Sequence, residues 1–211
     1  MDFFDVYALI TLVTFYSLLV SKSILTHRNG QKVVALGKGQ KQRTQKWLEY
    51  SFYVGIVLLT YLVLTAAFRL PMFGIEPVFY LYTHISGRIL GFISMNIGII
   101  LFAFALASFR DAWRIGVDEN QTDTLITKGV FAYSRNPVYL GMILIFLGFF
   151  FTFPNFFFFG ALLFIVFAFN RQIRKEEVLL ERLFGAQYRD YQTKTARFFG
   201  KKATAPNKNR P

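Results

Sequence analysis

The sequence predicts an all-α membrane protein with about five transmembrane helices, the last two a short helical hairpin, followed by a cytoplasmic helix. Of its 211 residues, 54% are apolar and only 17% are charged. The apolar residues form runs long enough to cross a bilayer core of about 30 Å. With five spans, 22 of the 24 lysines and arginines fall on one side of the membrane. The positive-inside rule makes that side cytoplasmic, which places the N-terminus outside and the C-terminus inside.

The first three spans are predicted within residues 1–109. The first covers residues 3–20, and its acidic start is unlike a signal peptide. A basic cytoplasmic loop, residues 21–46, then carries seven lysines and arginines and no acid. The second and third spans cover about 47–68 and 89–109.

The third span carries a stripe of small residues on one helical face. Small residues let membrane helices approach closely, so we expect a packing face, used either within the chain or in a dimer. Asn96 lies at depth in the same span, where a hydrogen bond to another helix is expected. The stripe consists of Gly87, Gly91, Ser94, Gly98 and Ala105.

The second polar loop, residues 110–137, precedes an apolar stretch of 32 residues at 138–169. As a helix this stretch would measure about 48 Å, too long for one span and short for two. Phe153-Pro154-Asn155 breaks its middle, which predicts a tight hairpin with short arms. Residues 170–195 are predicted to form the cytoplasmic helix, which a glycine at Phe184-Gly185 would end. Residues 200–211 are predicted to be a disordered basic tail.

The start of the hairpin offers a candidate ligand site. Asn136 is a typical N-cap residue, and Pro137 suits the first helical position. Helix N-termini bind anionic groups, although an ordinary capped helix has the same sequence pattern. Because the hairpin returns the chain to its point of entry, Arg135 to Pro137 and Arg171 to Glu177 should be neighbours. Taken alone, the segment that contains Arg171 to Glu177 would indicate only a solvated amphipathic helix with local ion pairs.

Several classes of site are disfavoured by composition. The chain has no cysteine, which excludes disulfides, a thiol nucleophile and cysteine-bound metal. The two histidines, His27 and His84, fall in different loops, so no metal site is predicted. The net charge of +12 is explained by membrane orientation and by attraction to anionic lipid head groups, and nucleic-acid binding is not expected.

Two motifs carry a family resemblance. TLITKGVFAYSRNPVYLG, residues 124–141, is followed about 30 residues later by EEVLLERLFGAQYRDY, residues 176–191. Together they resemble the isoprenylcysteine carboxyl methyltransferase family over roughly residues 115–195. Phospholipid methyltransferases and some membrane sterol-type reductases share parts of this pattern. The resemblance makes residues 110–199 the catalytic, cofactor-binding region.

The resemblance implies an S-adenosylmethionine (SAM) site and a lipophilic or lipidated acceptor that enters from the bilayer. The implied site residues are Tyr139 in the hairpin and Glu176 in the helix after it. Arg135, Arg171 or Arg174 would orient an anionic acceptor. We therefore take Glu176, Arg171, Arg174 and Tyr139 as catalytic candidates. The expected cofactor contacts are Asp123, Thr124, Leu125, Ile126, Phe131, Arg135, Asn136, Pro137, Val138, Tyr139 and Glu176.

Three positions depart from the family pattern. Asn136 stands where many relatives have histidine, and Phe131 replaces a tyrosine. Gln172 occupies the place of an arginine that the family links to the acceptor carboxylate. Arg171 and Arg174 lie about 100° and 200° around the helix from it. A carboxylate acceptor is therefore less firmly implied than SAM.

Other functions remain open at this stage. A phospholipid amine N-methyltransferase would need a base, for which Glu177 is the nearby candidate. An NADPH-dependent membrane reductase and a non-catalytic lipid-binding membrane protein are the further alternatives. A methyltransferase of this kind is expected in a prokaryotic inner membrane, or in the endoplasmic reticulum of a eukaryote.

Overall fold

The computed structural model describes residues 1–28, 43–75, 80–109 and 125–200, and for 43–53 it describes the backbone alone. Within these ranges the chain forms five α-helices and one short 3-10 helix. The predicted tail beyond residue 200 and most of both predicted basic loops lie outside the described residues. The α-helices are α1 Phe3–Arg28, α2 Arg43–Ala67, α3 Ile85–Ser108, α4 Pro137–Thr152 and α5 Phe156–Lys194, and the 3-10 helix is Gly129–Ala132.

The helices confirm the predicted all-α membrane class. Of the described helices, α1, α3 and α5 are long and apolar enough to cross a membrane, and two shorter apolar helices cover Val54–Ala67 and Pro137–Thr152. With 16 residues, α4 measures about 24 Å, less than a bilayer core. The first arm of the hairpin is therefore short, as expected.

The hairpin turns where the sequence predicts. Asn155 caps α5, because its side-chain oxygen accepts hydrogen bonds from the backbone amides of Phe157 at 3.0 Å and Phe158 at 3.1 Å. No break at residue 170 separates the second arm from the helix predicted to be cytoplasmic, since α5 runs on for 39 residues. Gly185 ends the first helical run of α5, as predicted. Its φ of 50° and ψ of −120° interrupt the helix, which then resumes to Lys194.

The small-residue stripe of α3 packs against α4 inside the chain. A Cβ on Gly98 would lie 2.8 Å from the carbonyl oxygen of Gly141, and one on Gly148 would lie 2.9 Å from that of Gly91. Glycines on both helices thus bring the two backbones together, as in other close membrane-helix pairs. The internal use of the stripe is the one that the structure shows.

A polar contact and aromatic packing add α1 to this pair. The hydroxyl of Tyr7 donates to Oδ1 of Asn96 at 2.7 Å, which confirms the predicted interhelical hydrogen bond. The Phe15 ring lies 5.1 Å from that of Phe102 in the buried core. These contacts fix α3, and through it α4, whose first turn carries the candidate site.

Candidate active site

The first turn of α4 is built differently from the prediction in one respect. Pro137 is the first helical residue, as expected, and the carbonyl of Asn136 accepts from the Leu140 amide at 3.0 Å. Asn136 occupies the N-cap position, as predicted, but its side chain makes no capping hydrogen bond. Its Nδ2 instead donates to the carbonyl of Arg197 at 3.0 Å, and this contact turns the side chain away. Within the described residues, the first amides of α4, including that of Val138, therefore receive no side-chain cap.

The segment before α4 is folded as a compact turn. Gly129 has φ of 64°, a conformation that suits glycine and opens the 3-10 helix. Phe131 is buried in it, and its ring meets that of Phe109 edge-on at 5.2 Å. The carbonyl of Phe131 accepts from the hydroxyl of Tyr191 at 2.5 Å.

The remaining cofactor residues expected near this turn are only partly described. Leu125 and Ile126 are partly buried just before the 3-10 helix. Asp123 and Thr124 lie outside the described residues. The buried position of Phe131 makes its ring part of the support beneath the turn rather than an open wall.

Glu176 reaches the first turn of α4, as the hairpin geometry predicts. Its Oε1 accepts from the hydroxyl of Tyr139 at 2.5 Å and from Nε2 of Gln172 at 3.0 Å. The Tyr139 ring packs against Phe169 at 5.0 Å between centroids. Glu176 is partly buried, and both of its partners in the described chain are neutral donors. A carboxylate held in this way keeps its capacity to bind a cation.

The adjacent Glu177 has an opposite environment. Its Oε1 lies 3.0 Å from Nη1 of Arg135, and its Oε2 lies 2.5 Å from Nη2 of Arg197. Arg135 and Glu177 are both buried, and Tyr188 approaches Nη1 of Arg135 at 3.5 Å. The hydrogen bonds that the Arg197 guanidinium donates to the Glu177 carboxylate raise the pKa of Arg197. Arg135, expected to contact a ligand, is thus engaged in a buried ion pair.

Arg197 belongs to a segment that no sequence pattern predicts to lie here. Residues 195–200 fold back over the turn: the amide of Arg135 donates to the carbonyl of Ala196 at 3.1 Å, and that of Gly200 donates to Tyr133 at 2.8 Å. These residues follow the last helix and carry no motif. An ion pair between residues 20 positions apart leaves no periodic signal that could have revealed it.

Arg171 and Arg174 do not contact Glu176 or Glu177 in the described chain. Both are exposed, and the guanidinium of Arg171 lies over the Phe167 ring at 5.5 Å. Of the residues on this turn of α5, Gln172 faces α4, because it lies four positions from Glu176 on a regular helix. The expectation that one of these arginines replaces the missing family arginine would need an irregular helix, and α5 is regular here.

The fold and the contacts of Tyr139, Glu176 and Glu177 together define a helical membrane protein with a polar site at the base of a short hairpin. The family model for phospholipid methyltransferases matches residues 86–187, just under half of the chain. The matched range runs from α3 through the hairpin and includes Tyr139, Glu176 and Glu177. This similarity indicates a membrane methyltransferase and, in general, SAM as the methyl donor. No curated protein matches the chain.

Proposed function

We propose that this protein is an integral membrane methyltransferase that transfers a methyl group from SAM to a lipophilic acceptor. The observation that carries the proposal is the site of Glu176, a carboxylate held by two neutral donors beside the uncapped start of α4. The methionine end of SAM is zwitterionic and needs both kinds of partner. Glu176 would hold its ammonium group, and the first amides of α4 would hold its carboxylate.

Residues of the hairpin and of the helix that follows it would position SAM and keep the site apolar during methyl transfer. SAM provides a methyl group on a positively charged sulfur, which makes the methyl carbon electrophilic. The protein must then hold the acceptor in line and exclude water. Tyr139 fixes the position of the Glu176 carboxylate, and the packed Phe169 ring closes the apolar side of the contact.

For the acceptor we favour a phospholipid amine over an isoprenylcysteine carboxylate. The amine would give its proton to water at the membrane surface before it enters the site. Its nitrogen would then bond to the methyl carbon as the carbon–sulfur bond breaks and S-adenosylhomocysteine leaves. A carboxylate acceptor needs a free cation at the site. Within the described chain, Arg135 is paired with Glu177, and Arg171 and Arg174 are exposed away from Gln172. The similarity to phospholipid methyltransferases supports the same choice.

Glu177 is assigned a structural role. The sequence suggested it as the base for an amine acceptor, but both of its oxygens are held by guanidinium groups of Arg135 and Arg197. Both oxygens are therefore occupied by buried or half-buried cations, and neither faces an acceptor. Its contacts instead join α5, the turn before α4 and the segment at 195–200.

Calorimetric titration of the detergent-purified protein with SAM and with NADPH tests the cofactor. SAM should bind, and Glu176→Gln should weaken its binding at least tenfold, about 1.4 kcal/mol. Glu181→Gln is the matched control, because Glu181 lies on the same helix in an exposed pair with Arg189 at 3.4 Å. Binding of NADPH alone would favour the reductase, and binding of neither would favour a lipid-binding protein.

Transfer of a labelled methyl group tests the acceptor separately. The protein is supplied with labelled SAM and either phosphatidylethanolamine or a farnesylated cysteine in mixed micelles. We expect label in the lipid amine, stable to base. Label found only as a base-labile ester on the cysteine carboxyl would reverse the acceptor assignment and leave the cofactor assignment intact.

A further inference from the structure

A polar cavity lies at the end of the helix bundle opposite to the candidate active site. Its volume is about 710 Å³. It is lined by the start of α1, the end of α2, the segment that leads into α3 and the turn between α4 and α5. Because the active site lies at the start of α4 and the cavity at its end, about 24 Å of helix separates them. None of the candidate active-site residues lines the cavity.

The wall of the cavity is held in place by specific contacts. Tyr82 packs so tightly on Gly87 that a Cβ there would lie 2.1 Å from its ring. Its hydroxyl donates to the carbonyl of Phe151 at 3.0 Å. The amide of Leu81 donates to the carbonyl of Pro154 at 2.6 Å. These contacts hold the segment before α3 against the hairpin turn, so the cavity wall is fixed by specific hydrogen bonds and packing.

Four charged side chains line this cavity at two depths. At the base, Arg88 lies 2.7 Å from Asp5, whose side chain is only 4% exposed. Nearer the surface, Arg69 lies 3.6 Å from Asp2, and these side chains are 66% and 39% exposed. Arg88 also contacts Asp2 at 2.6 Å, so the base and the outer pair form one network. The network is neutral overall and presents one accessible cation beside one accessible carboxylate.

This charge pattern selects a particular class of ligand. A simple anion near Arg69 would also meet Asp2, and a simple cation near Asp2 would also meet Arg69. A zwitterion satisfies both at once. The Nε of Arg88, on the cavity wall, also finds no acceptor within the described chain.

Apolar groups beside the charges indicate an amphiphile. Leu70 and Tyr80 line the same cavity, and both are exposed. Exposed Leu81 continues this surface next to the cavity. Helix ends of a membrane protein lie at the level of the lipid head groups, where acyl chains would cover such residues.

We infer that this cavity binds a zwitterionic phospholipid head group, with its phosphate at Arg69 and its ammonium group at Asp2. The site is distinct from the proposed methyl-transfer site and does not depend on that function. Free phosphoethanolamine shares the head-group chemistry, and the lipid adds apolar contacts that the soluble molecule lacks.

Native mass spectrometry of the detergent-purified protein tests this site with phosphatidylethanolamine, phosphatidylglycerol and free phosphoethanolamine. The protein should retain phosphatidylethanolamine about tenfold better than the anionic lipid, and Arg69→Gln should remove that preference. Arg189→Gln, which changes an exposed arginine outside the cavity, should preserve it. Circular dichroism shows whether each variant is folded, independently of SAM binding.

Three results would overturn the inference in different ways. Equal retention of both lipids by the wild-type protein would mean nonspecific lipid contact. An unchanged preference in folded Arg69→Gln and Asp2→Asn variants would remove the charged pair from the site. Free phosphoethanolamine that binds as tightly as the lipid would refute the membrane source of the head group.

Discussion

Gly98 offers a direct test of how α3 and α4 are joined. In Gly98→Ala, the new Cβ would lie 2.8 Å from the carbonyl oxygen of Gly141, 2.8 Å from Cγ1 of Ile145 and 2.9 Å from its amide nitrogen. Relief requires the helices to separate by roughly 0.5–1 Å, and overpacking of this kind costs about 1–3 kcal/mol. Two of the three atoms are backbone, so the upper part of that range applies. Alanine recovers about 1 kcal/mol of helix propensity, which leaves a net loss of about 2 kcal/mol.

Thermal unfolding in detergent measures this loss. For a chain of this size, about 2 kcal/mol corresponds to a fall of about 4–8 °C in the unfolding temperature. Gly160→Ala is the matched control, because Gly160 is exposed on α5 and a Cβ there meets nothing within 4 Å. The control should be neutral or slightly stabilising. A Gly98→Ala protein as stable as the control would refute the proposed close contact between α3 and α4.

Two further predictions concern the charged networks. Gln172→Arg places a guanidinium beside Glu176, so SAM affinity should fall and methylation of a carboxylate acceptor should rise. Calorimetry measures the first effect and the labelled-methyl assay the second. Unchanged SAM affinity would contradict the pairing of Glu176 with the SAM ammonium group. Burial alone would raise the pKa of Asp2, but hydrogen bonds from Arg88 and backbone amides outweigh it and hold that pKa below its usual 3.8. The network therefore stabilises the fold above about pH 4 and loses this contribution as the pH falls further. The difference in unfolding temperature between wild type and Asp2→Asn should shrink below about pH 4, and a difference independent of pH would argue against this assignment.

The sequence predicted the helical architecture well because the signals are local. In a bilayer every backbone polar group must be satisfied within the chain, so long apolar runs become helices. The break at Phe153-Pro154-Asn155 depends on residues that cannot continue a helix, and it falls where expected. Capping was harder to assign: Asn136 and Asn155 are the same residue type before a helix, yet only Asn155 caps with its side chain. The Asn136 side chain does not cap because it donates its hydrogen bond to the carbonyl of Arg197 instead.

The sequence by itself determined the membrane class, the short hairpin and the approach of residues 171–177 to the start of α4, because run lengths and the return of the chain fix these. Tertiary structure decided how the two neighbouring glutamates are used. On a helix they point about 100° apart, so Glu176 faces neutral donors while Glu177 meets two arginines. One of those arginines, Arg197, comes from a segment with no sequence signal. The paired charges of the cavity at the other end of the bundle likewise join the start of α1, α3 and the turn after α2, and only folding brings them together.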